Sequence, residues 1–285
     1  MYGEYAYLEI LRKLVDKLGR TPEELLQHGP QDVAAVNIGA TMMEFDLSNG
    51  CIPILTTKRI SFKNVVVELL WVLSGSSRLA FLHEHNVHFW DQWGAPEVAK
   101  QYGLEPGDVG PIYGPNWINW PTTDGGTHNQ IAWLINGLRT NPEWRRWKVV
   151  AWNPERVSRE ASILSPCHGD FHCVMVDGKL ELHHMQRSGD FFVGIPYNIA
   201  FYSILLRMIC QVTGLPPGKL VQITSDTHMY VNHLDGAQLQ LTREPKGFPK
   251  LELPEGVNDI FGFRYEDFKL VDYSYFPAIG TEVAL

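Results

Sequence analysis

A predicted β-hairpin followed by a long apolar helix constrains the fold of this chain more than any other segment. Phe171 to Val176 and Leu180 to His184 have strand-like sequences, and Asp177-Gly178 between them is a favoured two-residue turn. From Pro196 to Val212 apolar residues recur at helical spacing, with a proline near the start and Gly214 after the end. Paired strands and long helices in one chain predict an α+β fold.

The rest of the chain is consistent with one domain. Four further segments have helix or strand patterns: residues 5–18 and Phe62 to Leu73 as helices, and Lys148 to Trp152 and Val221 to Ile223 as strands. Residues 95–130 are rich in Gly, Pro, Asp and Trp, which predicts a long ordered loop region of the kind that builds sites. No internal repeat, low-complexity tract or linker is evident, so residues 1–285 are predicted to form a single domain.

Charge and cysteine content exclude several classes of protein. The net charge of −8 argues against a stable nucleic-acid partner, although a local arginine cluster could still bind one small phosphate. The four cysteines form no Cys-x-x-Cys pair, and the N-terminus does not resemble a signal peptide. No uninterrupted apolar run reaches the roughly 18 residues that a membrane span needs. We therefore expect a soluble, reduced, cytoplasmic protein.

One short region combines several chemically useful groups. Cys167, in Leu164-Ser165-Pro166-Cys167-His168, comes about twenty residues before Gln186-Arg187-Ser188-Gly189-Asp190, and Asn198 follows soon after. These residues offer a candidate thiolate nucleophile, a cation for an anion, a carboxylate, and an amide that could read a ring. A buried cysteine is more often a small apolar residue than a nucleophile. Arg187 and the pair Arg145-Arg146 favour the nucleophile, because nearby positive charge promotes thiol ionisation.

Glu68 is the second unusual position. It lies among the apolar residues of the predicted Phe62 to Leu73 helix, where a carboxylate is costly unless it has a role. The alternative is a solvated side chain on an otherwise apolar helix. We interpret Glu68 as a working group.

The chain resembles the thymidylate synthase superfamily from about residue 38 to its last residue. The segments that carry the resemblance stand in the family's order: Leu55-Thr56-Thr57-Lys58-Arg59, Glu68-Leu69-Leu70-Trp71, Leu82-His83-Glu84, Phe89-Trp90-Asp91-Gln92-Trp93, Gly110-Pro111-Ile112-Tyr113-Gly114, Arg145-Arg146, Ala151-Trp152-Asn153, Pro166-Cys167-His168, Gln186-Arg187-Ser188 with Asp190, Pro196-Tyr197-Asn198-Ile199-Ala200, Asp226-Thr227-His228-Met229-Tyr230-Val231-Asn232-His233 and Val283-Ala284-Leu285. Each segment is moderately specific, and their joint order is a strong signal.

The resemblance implies a fold and a reaction. The fold is a single α+β domain with a large mixed β-sheet flanked by helices, dimerising through the sheet. The Cys167 thiolate would add to C6 of a uracil deoxynucleotide, and 5,10-methylenetetrahydrofolate would deliver one carbon to C5. Glu68 would manage protons and ordered water, and Tyr113 would assist removal of the C5 proton. Asn198 would read uracil, because an amide matches the N3–H donor and O4 acceptor, and relatives acting on cytosine have Asp there.

It also implies the ligand-binding residues. A catalytic set is Cys167, Glu68, Tyr113, Asn198 and Asp190. A nucleotide set is Gln186, Arg187, Ser188, Arg145, Arg146, His228 and Tyr230. A folate set is Lys58, Trp90, Trp93, Leu164, Asp190 and Leu285. Arg145 and Arg146 would hold the phosphate from the second subunit of a homodimer with shared sites, and His228 and Tyr230 would bind the sugar 3′-hydroxyl. Asp190 would bond the pterin.

The N-terminal region departs from the family. Its members usually carry an Arg-Thr-Gly-Thr loop that closes on the phosphate, whereas the corresponding stretch here, residues 30–35, contains no arginine. Ser61, Asn116, Gly189 and Ser225 also differ from the usual residues, and the tail reads Thr281-Glu282-Val283-Ala284-Leu285. The changes indicate a specialised branch.

Several functions remain open at this point. Hydride transfer to the methylene intermediate gives thymidylate, whereas water gives a 5-hydroxymethyl nucleotide; the apolar tail favours the first, and the altered loop the second. A non-catalytic nucleotide-binding protein is a third interpretation. A thiol hydrolase is disfavoured, because adjacent Cys167 and His168 rarely orient as nucleophile and base. No metal site is expected near the hairpin, since His183 and His184 point to opposite strand faces and zinc-ligand spacing is absent.

Overall fold

Helices and strands alternate along the protein, whose computed structural model describes residues 3–28, 33–159 and 162–280. The α-helices of these residues are α1 (Glu4–Leu18), α2 (Phe62–Leu73), α3 (Ala80–Glu84), α4 (Pro96–Gln101), α5 (Gly114–Ile118), α6 (Gln130–Thr140), α7 (Pro154–Ser158), α8 (Gly194–Thr213) and α9 (Leu234–Leu241). The strands are β1 (Ala35–Asn37), β2 (Thr41–Asp46), β3 (Trp120–Pro121), β4 (Thr127–His128), β5 (Lys148–Val149), β6 (Asp170–Val176), β7 (Lys179–Asp190), β8 (Pro217–Tyr230), β9 (Lys250–Glu252) and β10 (Lys269–Val271).

A six-stranded mixed sheet organises the fold. Its order is β1-β8-β7-β6-β5, and β2 also pairs with β8. The pairing of β7 with β8 is parallel, and the other pairings in this sheet are antiparallel. A parallel pair needs a crossover, and α8 supplies it while packing on both strands. The predicted α+β class with a large mixed sheet flanked by helices is therefore confirmed.

The β6–β7 hairpin forms where it was predicted. Asp177 and Gly178 both have positive φ, 48° for Asp177 and 74° for Gly178. Two consecutive left-handed residues define the two-residue turn that matches strand twist. The register with β8 sets Ser188 beside Asp226 and Asp190 beside His228, which brings two distant motifs to one place.

Helix α8 is the core helix of the domain. It begins at Gly194 and ends before Gly214, whose φ of 73° lies in the left-handed region. By length and composition alone it could cross a membrane, but 78% of its apolar window is buried inside the fold. Core helices of soluble proteins pass the same test. Burial on the sheet explains why this helix is apolar on nearly every side.

Helix α2 carries Glu68 into the interior. The side chain of Ser61 caps its start by accepting a hydrogen bond from the Asn64 backbone at 3.3 Å. The helix ends at Leu73, and Gly75 follows with φ 71°, a conformation that β-carbon-bearing residues rarely adopt. The predicted bounds of Phe62 to Leu73 are confirmed.

Two parts of the secondary-structure prediction were wrong. Residues 95–130 are not a continuous loop, because α4, α5, β3 and β4 lie within them. Both helices have proline in their first turn, where it favours initiation. The predicted strand from Lys148 to Trp152 stops at Val149, since the next amides bond to side chains, including Val150 to Gln130 at 3.0 Å.

The buried apolar side chains form one connected core. Residues of α1, α2, α6, α8 and the main sheet all belong to it. The single-domain assignment for residues 1–285 and dimerisation through the sheet both stay predictions.

Candidate active site

Two adjoining cavities lie at the end of the sheet where β7, β8 and α8 meet. The first, of about 720 Å³, has a polar lining that includes Cys167, Arg187, Ser188 and Asp226. The second, of about 530 Å³, is lined largely by aromatic and apolar side chains. Both are bordered by Val193, Gly194 and Asn198. One molecule in each cavity would therefore meet at Asn198.

Cys167 projects into the first cavity and is half-buried. Its Sγ lies 3.5 Å from Nη2 of Arg187, and its carbonyl accepts a hydrogen bond from the Arg187 backbone at 2.9 Å. Burial raises the pKa of the Cys167 thiol, the Arg187 guanidinium opposes this, and Asp226 adds to it. The thiol therefore depends on Arg187 for whatever thiolate character it has.

Arg145 and Arg146 are not among the charged groups that affect the pKa of this thiol. Both are exposed, and the guanidinium of Arg146 lies 5.4 Å from the ring centre of Trp144. Neither lines the Cys167 cavity within the described part of the chain. Within one chain, Arg187 is thus the arginine that acts on Cys167.

Tyr113 and His168 form a stacked pair behind Cys167. Their ring centres are 4.1 Å apart, and the Cys167 backbone N–H donates to the Tyr113 hydroxyl at 3.3 Å. Burial raises the pKa of Tyr113 well above its ordinary value, so its hydroxyl stays protonated. Burial lowers the pKa of His168 to about 3, and its Nδ1 lies 2.9 Å from the Tyr202 hydroxyl. A neutral imidazole occupied by Tyr202 does not suit a cysteine–histidine hydrolase.

Asn198 and Gln186 are linked at the junction of the cavities. Both are buried, and Nε2 of Gln186 donates to Oδ1 of Asn198 at 3.0 Å. Gln186 thus lines the first cavity and also positions the amide of Asn198 through this hydrogen bond. The predicted base-reading and substrate-side residues lie together.

Ser188 and His228 converge on a carboxylate that was not predicted as a site residue, Asp226. The Ser188 hydroxyl donates to Oδ2 of Asp226 at 2.7 Å, and Nδ1 of His228 lies 3.4 Å from the same oxygen. The amide of Asn37 donates to the other oxygen. Tyr230 also lines this cavity, so the predicted sugar-side residues are brought together. Asp226 is the first residue of the segment Asp226 to His233 that carries part of the family resemblance, and this position was the signal that could have identified it.

Asp190 lies in the first cavity, whereas Lys58 lies outside both cavities. Asp190 lines the first cavity, and its Oδ1 accepts from the Phe192 backbone at 3.0 Å. The Lys58 ammonium donates to the Phe192 carbonyl and lies 3.6 Å from the centre of that ring. Burial lowers its pKa to about 7, and Asp190 raises it. Lys58 lines neither of the two cavities, and its place on the folate side stays a prediction.

Other predicted folate-side residues divide into three groups. Trp90 and Trp93 line the second cavity, as expected. Leu164 is half-buried against the core and lines neither cavity, and its role on the folate side stays a prediction. Leu285 and half of the altered N-terminal stretch, residues 30–32, lie outside the described residues. Sequence reasoning missed further lining residues: Gln27, His28, Asn64, Phe89, Gln92 and Tyr197.

Glu68 lies on the wall of the second cavity. Its side chain is buried, and Oε1 accepts a hydrogen bond from the Trp90 indole at 2.8 Å. Burial raises the pKa of Glu68 to about 7, and the Trp90 hydrogen bond lowers it. Because both protonation states are populated near neutral pH, Glu68 can accept and return a proton. The interpretation as a working group agrees with this environment.

An exposed imidazole–carboxylate cluster borders the same cavity. Nε2 of His83 and Nδ1 of His88 lie 2.7 Å and 2.9 Å from the two oxygens of Asp91. Their ligand-type atoms lie within 4.8 Å of one another. The two imidazoles and the carboxylate of this cluster hydrogen-bond one another at the surface.

The buried carboxyl of Glu68 predicts a pH-dependent stability difference. A pKa that rises from 4.5 to about 7 on folding favours the folded state below pH 4.5, and this advantage is lost as pH rises through 7. Relative to Glu68→Gln, the wild type should therefore lose about 3 kcal/mol between pH 4.5 and 8. Urea unfolding of both proteins at several pH values measures the difference in free energy of unfolding. The other titrating groups are the same in both proteins, so their contributions cancel in this difference. Parallel stability curves would contradict the buried, raised carboxyl.

The residues that line the two cavities indicate a class of enzyme chemistry. A thiol beside a guanidinium, next to an amide at the junction with an aromatic cavity, suits covalent attack on a planar heterocycle. The thymidylate synthase family model matches residues 5–285, essentially the whole chain. This chain belongs to the thymidylate synthase family, and the predicted superfamily is confirmed. Membership supports transferase chemistry, in general a one-carbon transfer to C5 of dUMP with a methylenetetrahydrofolate cosubstrate.

Proposed function

We propose that this protein converts dUMP to dTMP with 5,10-methylenetetrahydrofolate as carbon donor and Cys167 as covalent nucleophile. The observation that supports this best is the meeting of the two cavities at Asn198, with Cys167 in one and Glu68 in the other. A pyrimidine held by Asn198 would have C6 toward Cys167 and C5 toward the second cavity. That is the geometry required for attack at one carbon and transfer at its neighbour.

Cys167 begins the reaction. Its thiolate forms the bond to C6, and the electrons of the C5–C6 double bond move toward C5 and O4. The Arg187 guanidinium, 3.5 Å from Sγ, stabilises the thiolate before attack. A hydrogen bond from Asn198 to O4 stabilises the enolate that results. C5 then becomes nucleophilic.

Glu68 and Tyr113 handle the protons that follow. Glu68, with its pKa near 7, exchanges a proton with O4 directly or through water, because both of its protonation states are populated near neutral pH. Tyr113 keeps its proton because burial raises its pKa, so it acts as a hydrogen-bonding partner for water that removes the C5 proton. Loss of that proton would let the folate nitrogen leave the one-carbon unit on C5, and hydride from the reduced folate would complete the methyl group and leave dihydrofolate. The Cys167–C6 bond would then break as the ring regains its double bond.

The second cavity suits a reduced folate. Phe89, Trp90, Trp93 and Tyr197 present flat apolar surface on which a pterin and a benzoyl ring can stack. When bound there, the folate supplies the one-carbon unit. The chain's own contribution is to hold the pterin against the nucleotide and to exclude water.

Formation of a 5-hydroxymethyl nucleotide is a second candidate product. Asn64, Gln92 and Glu68 give the second cavity polar groups that could hold the necessary water. Incubation with dUMP and methylenetetrahydrofolate, followed by mass analysis of the nucleotide, separates the outcomes. We expect dTMP with dihydrofolate; 5-hydroxymethyl-dUMP with tetrahydrofolate would select the second candidate. Absence of turnover despite dUMP binding would instead support a non-catalytic relative.

Sharing of sites between two subunits leads to a complementation prediction. Arg145 and Arg146 are exposed and do not line the cavity of their own chain, as expected if they reach a partner's nucleotide. In the heterodimer of a Cys167→Ala chain and an Arg146→Glu chain, one of the two sites is complete, so the purified heterodimer should have about half the wild-type activity. The activity of the differently tagged heterodimer is measured after tandem purification. Inactive heterodimers formed from inactive single variants would contradict shared sites.

A further inference from the structure

A row of buried polar side chains runs through the sheet to Asn198. His184 and Gln222 have no exposed surface, and Gln186 is 4% exposed. Nδ1 of His184 lies 2.7 Å from Oε1 of Gln222, and Nε2 of Gln222 donates to Oε1 of Gln186 at 3.0 Å. Gln186 then donates to Asn198. We call these three residues, His184, Gln222 and Gln186, the amide relay. Burying so many polar groups is costly unless they are hydrogen-bonded, and each of these residues bonds the next.

One backbone carbonyl determines the orientation of every amide in the relay. Nε2 of Gln186 donates to the Ser188 carbonyl at 3.0 Å, and a carbonyl oxygen can only accept. The amide nitrogen of Gln186 must therefore face Ser188, and its oxygen must face Gln222. It follows that Gln222 turns its nitrogen to Gln186 and its oxygen to His184, which must carry its proton on Nδ1. The assignment thus rests on network logic and does not depend on distinguishing nitrogen from oxygen.

The environment of His184, at the far end of the relay, favours the same orientation of the hydrogen bonds. Burial lowers the pKa of His184 well below its ordinary value, which keeps the imidazole neutral with a single proton. Its ring stacks on Tyr202, with ring centres 3.5 Å apart. Gln222 also donates to the Thr224 hydroxyl at 3.2 Å. The relay therefore has fixed points at both ends, at the Ser188 carbonyl and at the stacked imidazole.

This order leaves Asn198 with one orientation. Its Oδ1 accepts from Gln186, so its Nδ2 is directed away from the relay, and among the described residues no partner binds this nitrogen. Asn198 borders both cavities. A bound base therefore meets a donor at Nδ2 and the remaining lone pair of Oδ1. These two groups match O4 and N3–H of uracil.

We infer that the amide relay locks Asn198 against flipping and thereby makes the cavity selective for uracil over cytosine nucleotides. Cytosine has an acceptor at N3 and a donor at N4, so it requires Asn198 in the flipped orientation. After a flip, Nδ2 of Asn198 would oppose Nε2 of Gln186, two donors face to face. Two neighbours oppose a turn of Gln186 in response: its oxygen would then face the Ser188 carbonyl, and its nitrogen would face the Gln222 nitrogen. Gln222 and His184 are thus positioning residues for specificity, without contact with the base.

Binding of dUMP and dCMP to the Gln222→Met variant tests the inference, which rests on the proposed uracil-nucleotide site. Isothermal titration measures the two dissociation constants without requiring turnover. We expect wild type to prefer dUMP by about 100-fold, since a wrong hydrogen-bond pattern leaves buried groups unpaired. In Gln222→Met, Gln186 loses the partner of its oxygen, and the preference should fall at least about tenfold, mainly through tighter dCMP binding. Gln240→Met is the matched control: Gln240 is also a fully buried glutamine, bonded to Thr57, and its replacement should leave the preference unchanged.

The outcomes separate the inference from the proposed function. If wild type binds neither nucleotide, the proposed function fails. If wild type prefers dUMP and Gln222→Met weakens both nucleotides equally, the relay is only structural and the inference is overturned. His184→Phe provides a second variant in case Gln222→Met does not fold, because it keeps the stacked ring and removes only the donor to Gln222. It should lower the preference in the same direction by a smaller factor, and an unchanged ratio would also overturn the inference.

Discussion

Replacing Cys167 with alanine should abolish nucleotide turnover, with kcat at least about 10⁴-fold below wild type. The reason is chemical: C5 of uracil becomes nucleophilic only after C6 has been attacked, and Cys167 is the thiol in the cavity with Arg187 and Asn198. Arginine and asparagine cannot replace the bond to C6, so the remaining binding groups should still hold dUMP while leaving it unreacted. We expect the dUMP dissociation constant to change by less than about tenfold.

The control for this variant is a second cysteine of similar exposure. Cys51 is also half-buried and free but does not line either cavity, so Cys51→Ala should retain turnover. A 5-fluoro analogue of dUMP adds a direct readout, because a C5 fluorine cannot leave as a proton does and the adduct accumulates. Mass analysis should find the nucleotide attached to the Cys167 peptide in wild type and in Cys51→Ala, and absent in Cys167→Ala. Substantial turnover by Cys167→Ala would refute the covalent mechanism.

Replacing Arg187 with glutamine should reduce kcat/KM for dUMP by about 10³-fold. Arg187 has two roles at once: its guanidinium lies 3.5 Å from the Cys167 sulfur, and it lines the polar cavity in which the phosphate would bind. Loss of the positive charge favours the neutral thiol, so the pKa of Cys167 should rise further above its ordinary value. The rate of Cys167 alkylation by iodoacetamide, followed by peptide mapping, should therefore move to higher pH.

Two comparisons make the Arg187 result specific. Arg187→Lys keeps the charge but loses the planar fork, so it should restore part of the alkylation profile and less of the dUMP affinity. Arg78→Gln removes an exposed arginine that pairs with Asp108 at 3.3 Å, and it should leave both measurements unchanged. An alkylation profile that does not move in Arg187→Gln would show that Arg187 does not support the thiolate.

The parts of the site that the sequence predicted are those defined by local chemistry. Glu68 was conspicuous because a carboxylate stood inside an apolar helical pattern, and the structure gives it a buried position with a raised pKa. Cys167 and Asn198 were found through motifs close together in the chain. Lys58 and Leu164 were assigned by resemblance alone, and in the structure they contact the core instead of the cavities. A motif identifies a residue, but it does not specify which groups a flexible side chain contacts in the folded protein.

Much of the secondary structure around the site could also be predicted from residues that are close together in the sequence. Capping by Ser61 and the glycine after Leu73 fixed helix α2, and the Asp177-Gly178 turn fixed the hairpin, since both depend on residues only a few positions apart. The short helices at Pro96 and Pro115 were missed because proline marks both loops and helix starts.

The parallel pairing of β7 with β8 could be decided only in three dimensions. It sets Ser188 beside Asp226 and lets Gln222 bond Gln186, residues 38 and 36 positions apart in the chain. No local pattern encodes such a register, because it depends on how α8 packs on the sheet and returns the chain to it. The sequence by itself therefore determined which groups can do the chemistry, while the tertiary structure decided how the amide that reads the base is held.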